Sequence, residues 1–167
     1  MIEDFNQAAD DERLRSALQE CCAAMSWVDR IIAGRPYQDE AALLAASDAA
    51  TAALDGTGLD EALAGHPRIG ERAAAGHGAW SRQEQSGVAG AGADVRAELA
   101  DANAAYEQKF GQVYLVCATG KSAEELLVVC RSRLTNDPDT ERAVVRSELA
   151  SINRLRLAKL LHPEEQR

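Results

Sequence analysis

The sequence predicts a helical chain of about seven to nine helices in one domain spanning residues 1–167, with an extended buried segment near 112–119. Three observations carry that reading. Apolar residues recur at the helical repeat of about 3.6 residues along most of the chain. Helix-start signatures, Ser122-x-x-Glu125 and Asp137-Pro138, stand immediately ahead of two of those runs. Only Val113-Tyr114-Leu115-Val116-Cys117-Ala118 has the composition of a buried strand, and nothing elsewhere supplies it with a partner.

The elements follow in order. Asp10-Asp11-Glu12, ahead of Leu14, Leu18, Cys21, Cys22 and Met25, opens a helix with acidic residues at its start. Trp27 to Ile32 continues it or forms a short second helix, ending at Gly34 before Pro36. A clear helix covers roughly Gln38 to Leu54, and a short one, Leu59 to Ala64, delivers the chain to His66. Between Gly70 and Gly92 the glycine-rich sequence predicts one helical turn, beginning at Ser81. From Ala93 to Phe110 the spacing of Val95, Leu99, Ala102, Tyr106 and Phe110 is helical, and Gly111 stops it. Gly120-Lys121 lacks the upstream glycines of a phosphate loop, so the lysine reads as a surface residue.

A capping box at Ser122 and Glu125 starts the next helix, which runs to about Leu134. Asp137 and Pro138 begin the last, reaching about Leu161 with an apolar stripe of Val145, Leu149, Ile152 and Leu160. Arg156 lies on that stripe, eleven residues after Val145 and so almost a whole number of turns away. A guanidinium there is either a structural ion pair or a fork for an anionic ligand. Arg154 points nearly the opposite way, toward solvent.

Composition narrows the function. Apolar residues make up 46% of the chain and aromatics only 4%, with alanine prominent, which suits closely packed helices better than a sandwich. A net charge of −9 with no basic stripe argues against nucleic-acid binding, and any anionic substrate must find a local cation. The four cysteines, Cys21, Cys22, Cys117 and Cys130, show neither metal-ligand nor redox spacing, and a reduced setting is the simplest reading. No signal peptide opens the sequence, no apolar run approaches membrane-spanning length, and no peroxisomal tripeptide closes it. The expected compartment is the cytoplasm. His66, His77 and His162 share no metal-ligand spacing, so no metal site is expected.

The segment with most chemistry is Gly65-His66-Pro67-Arg68-Ile69-Gly70-Glu71, a poor helix sequence. Pro67 fixes its own φ and pushes His66 out of the helical region. Close behind comes Ser81-Arg82-Gln83-Glu84-Gln85-Ser86-Gly87. A histidine with a carboxylate is the minimum equipment for proton transfer near neutral pH. Ser81-x-x-Glu84 is also a capping box, with Trp80 as its hydrophobic staple, and the two readings are compatible because a helix N-terminus favours anions.

His66-Pro67-x-Ile69-Gly70, Ser81-x-x-Glu84-Gln85-x-Gly87, Asn103-x-x-Tyr106-x-x-x-Phe110-Gly111, Ala118-x-Gly120-Lys121 and Leu155-Arg156-Leu157 together resemble the OHCU decarboxylase family. OHCU is 2-oxo-4-hydroxy-4-carboxy-5-ureidoimidazoline. Each motif is weak alone, but their order and spacing are specific, closely so from His66 onward. The resemblance implies an all-α fold, a homodimer, no cofactor, and the last step of urate breakdown to (S)-allantoin and carbon dioxide. It places the catalytic histidine on His66 and the active-site glutamate on Glu84. Substrate contacts are implied at Pro67, Ser81, Gln85 and Arg156, and through the segment Tyr114, Leu115, Val116, Cys117 and Ala118. Gln112-Val113 departs from the family's more usual aromatic-proline pair. Two alternatives to a decarboxylase stand beside this one: a hydrolase or isomerase of a related purine-derived ring, and an acidic helical interaction module.

Overall fold

The computed structural model describes residues 1–70 and 78–163, with the backbone alone at 78, 79, 82 and 89. Among them there is no β-strand, and ten helices form: α1 Ile2–Gln7, α2 Glu12–Cys21, α3 Met25–Ala33, α4 Glu40–Ala52, α5 Gly56–Ala64, α6 Gly78–Glu84, α7 Ser86–Ala89, α8 Ala93–Phe110, α9 Ala123–Arg133 and α10 Pro138–Leu161. The count exceeds the expected seven to nine because α1 and α7 are too short to leave a periodic signature. None of the described helices is long and apolar enough to cross a membrane. His77 and the tripeptide that closes the chain lie outside the described residues.

The starts and stops follow local chemistry. Asp11, Asp39 and Asp55 each accept backbone N–H bonds at the heads of α2, α4 and α5. Ser122 and Glu125 form the expected reciprocal box at the head of α9. Asp137 Oδ1 accepts from the N–H groups of Asp139 and Thr140, with Pro138 at the first position of α10. Gly111 ends α8 at φ +69°, a left-handed cap that suits glycine.

The residues group into two compact units, Met1–Gly65 with Leu149–Arg167 and His66–Glu148. In the first, Leu18, Trp27, Val28, Ile31, Leu43 and Leu59 are fully buried, joined by Leu149 and Leu157 of α10. Burial of each such side chain stabilises the fold by roughly 1.5–3 kcal/mol. The Trp27 indole donates to the Ser47 carbonyl at 3.3 Å, and Asn153 donates to the Thr51 hydroxyl at 3.1 Å. These bonds count because a buried donor left unpaired is costly.

In the second unit α8 and α9 pack together over Leu99, Tyr106, Tyr114, Val116, Leu126 and Cys130. A buried ion pair crosses this core: Arg133 Nε donates to Glu141 Oε1 at 2.8 Å, with side chains 6% and 0% exposed. The Tyr106 hydroxyl donates to the same carboxylate, and Asn136 donates to its other oxygen at 2.8 Å. Arg133 also lies over the rings of Tyr106 and Tyr114. Burial and the hydrogen bond to a carboxylate both push the Tyr106 hydroxyl's pKa up, so it stays protonated and donates.

Candidate active site

α5 ends at Ala64, and His66 stands in the irregular stretch that follows, as the proline beside it requires. The histidine is 9% exposed, and its Nε2 is shielded from solvent. Downstream the chain is tied by side chains from elsewhere in the unit. Arg68 Nη2 donates to Glu107 Oε2 at 2.7 Å, Asn103 Nδ2 to the Ile69 carbonyl at 2.9 Å, and the Gly70 N–H to Gln85 Oε1 at 2.9 Å. Gly70 adopts φ +88°, where a side chain would be strained. A groove of about 290 Å³ runs between Arg68–Gly70 and the Leu99, Asn103 and Glu107 side of α8.

Ser81 and Glu84 are both buried, at 3% and 8% exposure. The expected helix start at Ser81, with its capping box and Trp80 staple, is overturned. α6 begins upstream at Gly78, so Ser81 is interior, Trp80 is helical, and Glu84 is the last residue of the helix rather than part of its first turn. The Ser81 carbonyl accepts from the Gln85 N–H at 3.0 Å as an ordinary helical bond. The argument that a helix N-terminus favours the Glu84 anion therefore falls away. Gln85 uses its N–H on Ser81, its carbonyl on the Val88 N–H and its Oε1 on Gly70; its Nε2 takes no part in those bonds.

The segment expected to be extended and buried lies outside any helix or strand and is buried: Tyr114, Leu115, Val116 and Ala118 are 2–4% exposed, and Cys117 is half-buried. Its backbone is gripped at alternate residues. Arg133 Nη1 donates to the Leu115 carbonyl at 2.7 Å, the Cys117 N–H donates to Glu148 Oε2 at 2.8 Å, and Lys121 Nζ donates to the Cys117 carbonyl at 2.7 Å. Lys121 is thus a tether for this segment and not the surface residue expected from its sequence. Burial foremost pushes the Cys117 thiol's pKa up; the nearby carboxylates of Glu148 and Glu84 add to the rise, and Lys121 opposes it.

Arg156 is buried at 4% exposure, as its place on the stripe requires. Its Nη1 donates to the carbonyls of Glu20 and Cys21 at 3.1 and 3.4 Å, at the C-terminal end of α2. A cation there meets the negative end of the helix dipole. Arg154 is not simply solvated: its Nε donates to both oxygens of Asp48, at 2.9 and 3.0 Å, in an exposed pair.

One unit thus contains His66, Pro67, Ser81, Glu84, Gln85 and 114–118, and the other contains Arg156. Sequence reasoning missed Arg133, Glu148 and Asn103 as the residues that hold these segments. Only Asn103 carried a signal, its place in a family motif; the other two act across 18 and 31 residues, beyond any helical spacing.

Residues 7–158 match the profile of the family described as OHCU decarboxylase. The chain belongs to the OHCU decarboxylase family. Its relatives include the "Uric acid degradation bifunctional protein TTL" of Arabidopsis thaliana, 30% identical over 145 residues, which span 84% of this chain and 45% of that protein. The chain therefore corresponds to less than half of that relative's length. The 2-oxo-4-hydroxy-4-carboxy-5-ureidoimidazoline decarboxylase of Amia calva is 27% identical over 156 residues, 90% of this chain and 86% of the relative. Among solved structures, an OHCU decarboxylase in the presence of (S)-allantoin superimposes with a TM-score of 0.75 at 26% identity, covering 87% of this chain and 96% of that one. An (S)-allantoin synthase gives 0.73 at 14% identity, over 95% and 53%, a likeness of fold. The all-α architecture is thus that of a solved OHCU decarboxylase.

Proposed function

We propose that this chain decarboxylates OHCU to (S)-allantoin and carbon dioxide, without a cofactor. The observation that carries the reading is the family match over residues 7–158, joined to a buried histidine and a buried glutamate in the same unit. Carbon 4 of the substrate bears a hydroxyl and a carboxylate, and carbon 5 is doubly bonded to nitrogen. When the bond from carbon 4 to the carboxylate breaks, its electron pair forms a double bond between carbons 4 and 5, and the former imine pair moves onto nitrogen, which takes a proton. The enol then loses its hydroxyl proton as carbon 5 gains one, giving the ketone of allantoin. The substrate supplies its own electron sink.

The protein then has two tasks. It holds the breaking bond perpendicular to the π-system, an orientation effect, and it moves protons to and from one face of the ring, worth typically ~10²–10⁴-fold. His66 is assigned the proton transfers, and Glu84 a hydrogen bond to the 4-hydroxyl or the orientation of His66. Pro67, Ser81 and Gln85, the last through its Nε2, are assigned to the ring's surroundings. Within 114–118 the carbonyls of Leu115, Cys117 and Ala118 and the Cys117 N–H are already engaged, which favours the backbone of Tyr114 and Val116 and the Ala118 N–H for contacts with the ring. Arg156 is assigned to the substrate on the family resemblance alone.

The family resemblance also supports a homodimer, to be read by light scattering on the purified protein. Four free thiols support a reducing, cytoplasmic setting. The test of the activity is carbon dioxide release from OHCU generated from urate. Ring opening with the carboxylate retained would favour a hydrolase, and no acceleration would favour an interaction module.

A further inference from the structure

The stretch carrying His66 is fastened at three points just beyond it, and the three differ in kind. The Arg68–Glu107 pair is exposed, with Arg68 at 47%, and contributes little. The Gly70–Gln85 bond joins the histidine stretch to the residue that follows Glu84. The Asn103 bond is buried: Asn103 is 4% exposed, Ile69 is 6% exposed, and the side-chain amide meets the Ile69 carbonyl at 2.9 Å. Asn103 Oδ1 has no hydrogen-bond partner among the described residues. A buried amide half-satisfied is costly, so its placement serves the bond it does make. Asn103 and Glu107 stand one turn apart on α8, so both tethers rise from one face of an 18-residue helix. Between Ile69 and His66 lie only Arg68 and Pro67, and the fixed φ of proline passes a displacement back toward His66.

We infer that Asn103 is a positioning residue for His66: by holding the Ile69 carbonyl to α8, it sets where the imidazole meets the substrate. The inference rests on the function proposed above. A displacement of 1 Å can cost ~10²-fold in rate. Asn103→Ala should therefore lower kcat roughly 10- to 100-fold, change KM by less than about threefold, and move the imidazole NMR signal of His66, assigned by its loss in His66→Asn. Asn103→Asp adds a pH readout. Ionised, the new carboxylate repels the Ile69 carbonyl; protonated, it donates an O–H to it. Burial raises such a carboxyl's pKa, so kcat relative to wild type at the same pH should recover as pH falls. A merely structural role would lower the melting temperature of both variants without that recovery.

Asn103→Ala with kcat within about twofold of wild type and an unmoved His66 signal would overturn the inference. Should Asn103→Ala not fold, the Asn103→Asp profile decides: recovery at low pH supports the tether, and a pH-independent ratio overturns it. Wild-type protein that does not accelerate OHCU decarboxylation, with a His66 signal that still moves in Asn103→Ala, overturns the proposed activity and leaves the positioning role standing.

Discussion

Gly87 and Lys121 meet backbone to backbone: a Cβ added to Gly87 would stand 2.2 Å from the Lys121 carbonyl oxygen and 3.2 Å from its carbonyl carbon. Lys121 in turn holds the Cys117 carbonyl. This contact seats the backbone of α7, which follows Ser81 and Glu84 in the chain, against Lys121, three residues beyond the 114–118 segment.

Gly87→Ala should consequently force the two segments apart, because neither backbone can yield as a flexible side chain would. Overpacking of this kind costs about 1–3 kcal/mol, a fall in melting temperature of roughly 2–4 °C per kcal/mol for a chain of this size. On the proposed assignment of Glu84 and residues 114–118 to the substrate, turnover should fall with it. An unchanged melting curve would contradict the contact.

Glu84→Gln separates catalysis from structure. Glutamine keeps the size and shape of the Glu84 side chain at the end of α6, so the amide should leave the melting temperature nearly unchanged while kcat falls ~10²-fold or more. The same variant removes a negative charge that helps raise the Cys117 pKa. The thiol's pKa should drop, the thiolate fraction at a fixed pH below it should rise, and alkylation should quicken. Cys21, Cys22 and Cys130 are fully buried, so the reaction of native protein reports Cys117. Normal turnover would remove Glu84 from the chemistry, and unchanged alkylation would deny its electrostatic effect on the Cys117 thiol.

Arg156→Lys and Arg154→Lys form a matched pair. Arg154 makes an exposed pair with Asp48, and its replacement should leave kinetics unaltered. Arginine's planar fork is not reproduced by lysine. Arg156→Lys should lower kcat/KM by an amount on the order of 1.5–3 kcal/mol, the worth of a charged hydrogen bond. Equal behaviour of the two variants would confine Arg156 to its structural bonds with the Glu20 and Cys21 carbonyls.

Most helices were legible because their signals are local. Asp11, Ser122 and Pro138 mark helix starts with chemistry contained within a few residues, and Gly111 marks an end. The burial of Arg156 was legible from periodicity alone. Ser81 misled because serine followed by glutamate reads as a cap whether or not a turn precedes it, and nothing in Gly78-Ala79-Trp80 announces that turn. The tethers were illegible for a different reason. Arg133 on Leu115, Glu148 on Cys117 and Asn103 on Ile69 join residues 18, 31 and 34 apart, a distance that only the folded chain closes.

The central claim, stereospecific decarboxylation driven by His66, is tested most directly by following the optical activity of allantoin. OHCU is generated from urate by the two enzymes that precede this step, and wild-type or His66→Asn protein is added. Rapid appearance of (S)-allantoin is expected with wild type, and racemic product at the uncatalysed rate with a normally folded His66→Asn. Racemic product with wild type would contradict the activity. More than about a tenth of the wild-type rate in His66→Asn would contradict a proton-transfer share of ~10²-fold or greater for that histidine.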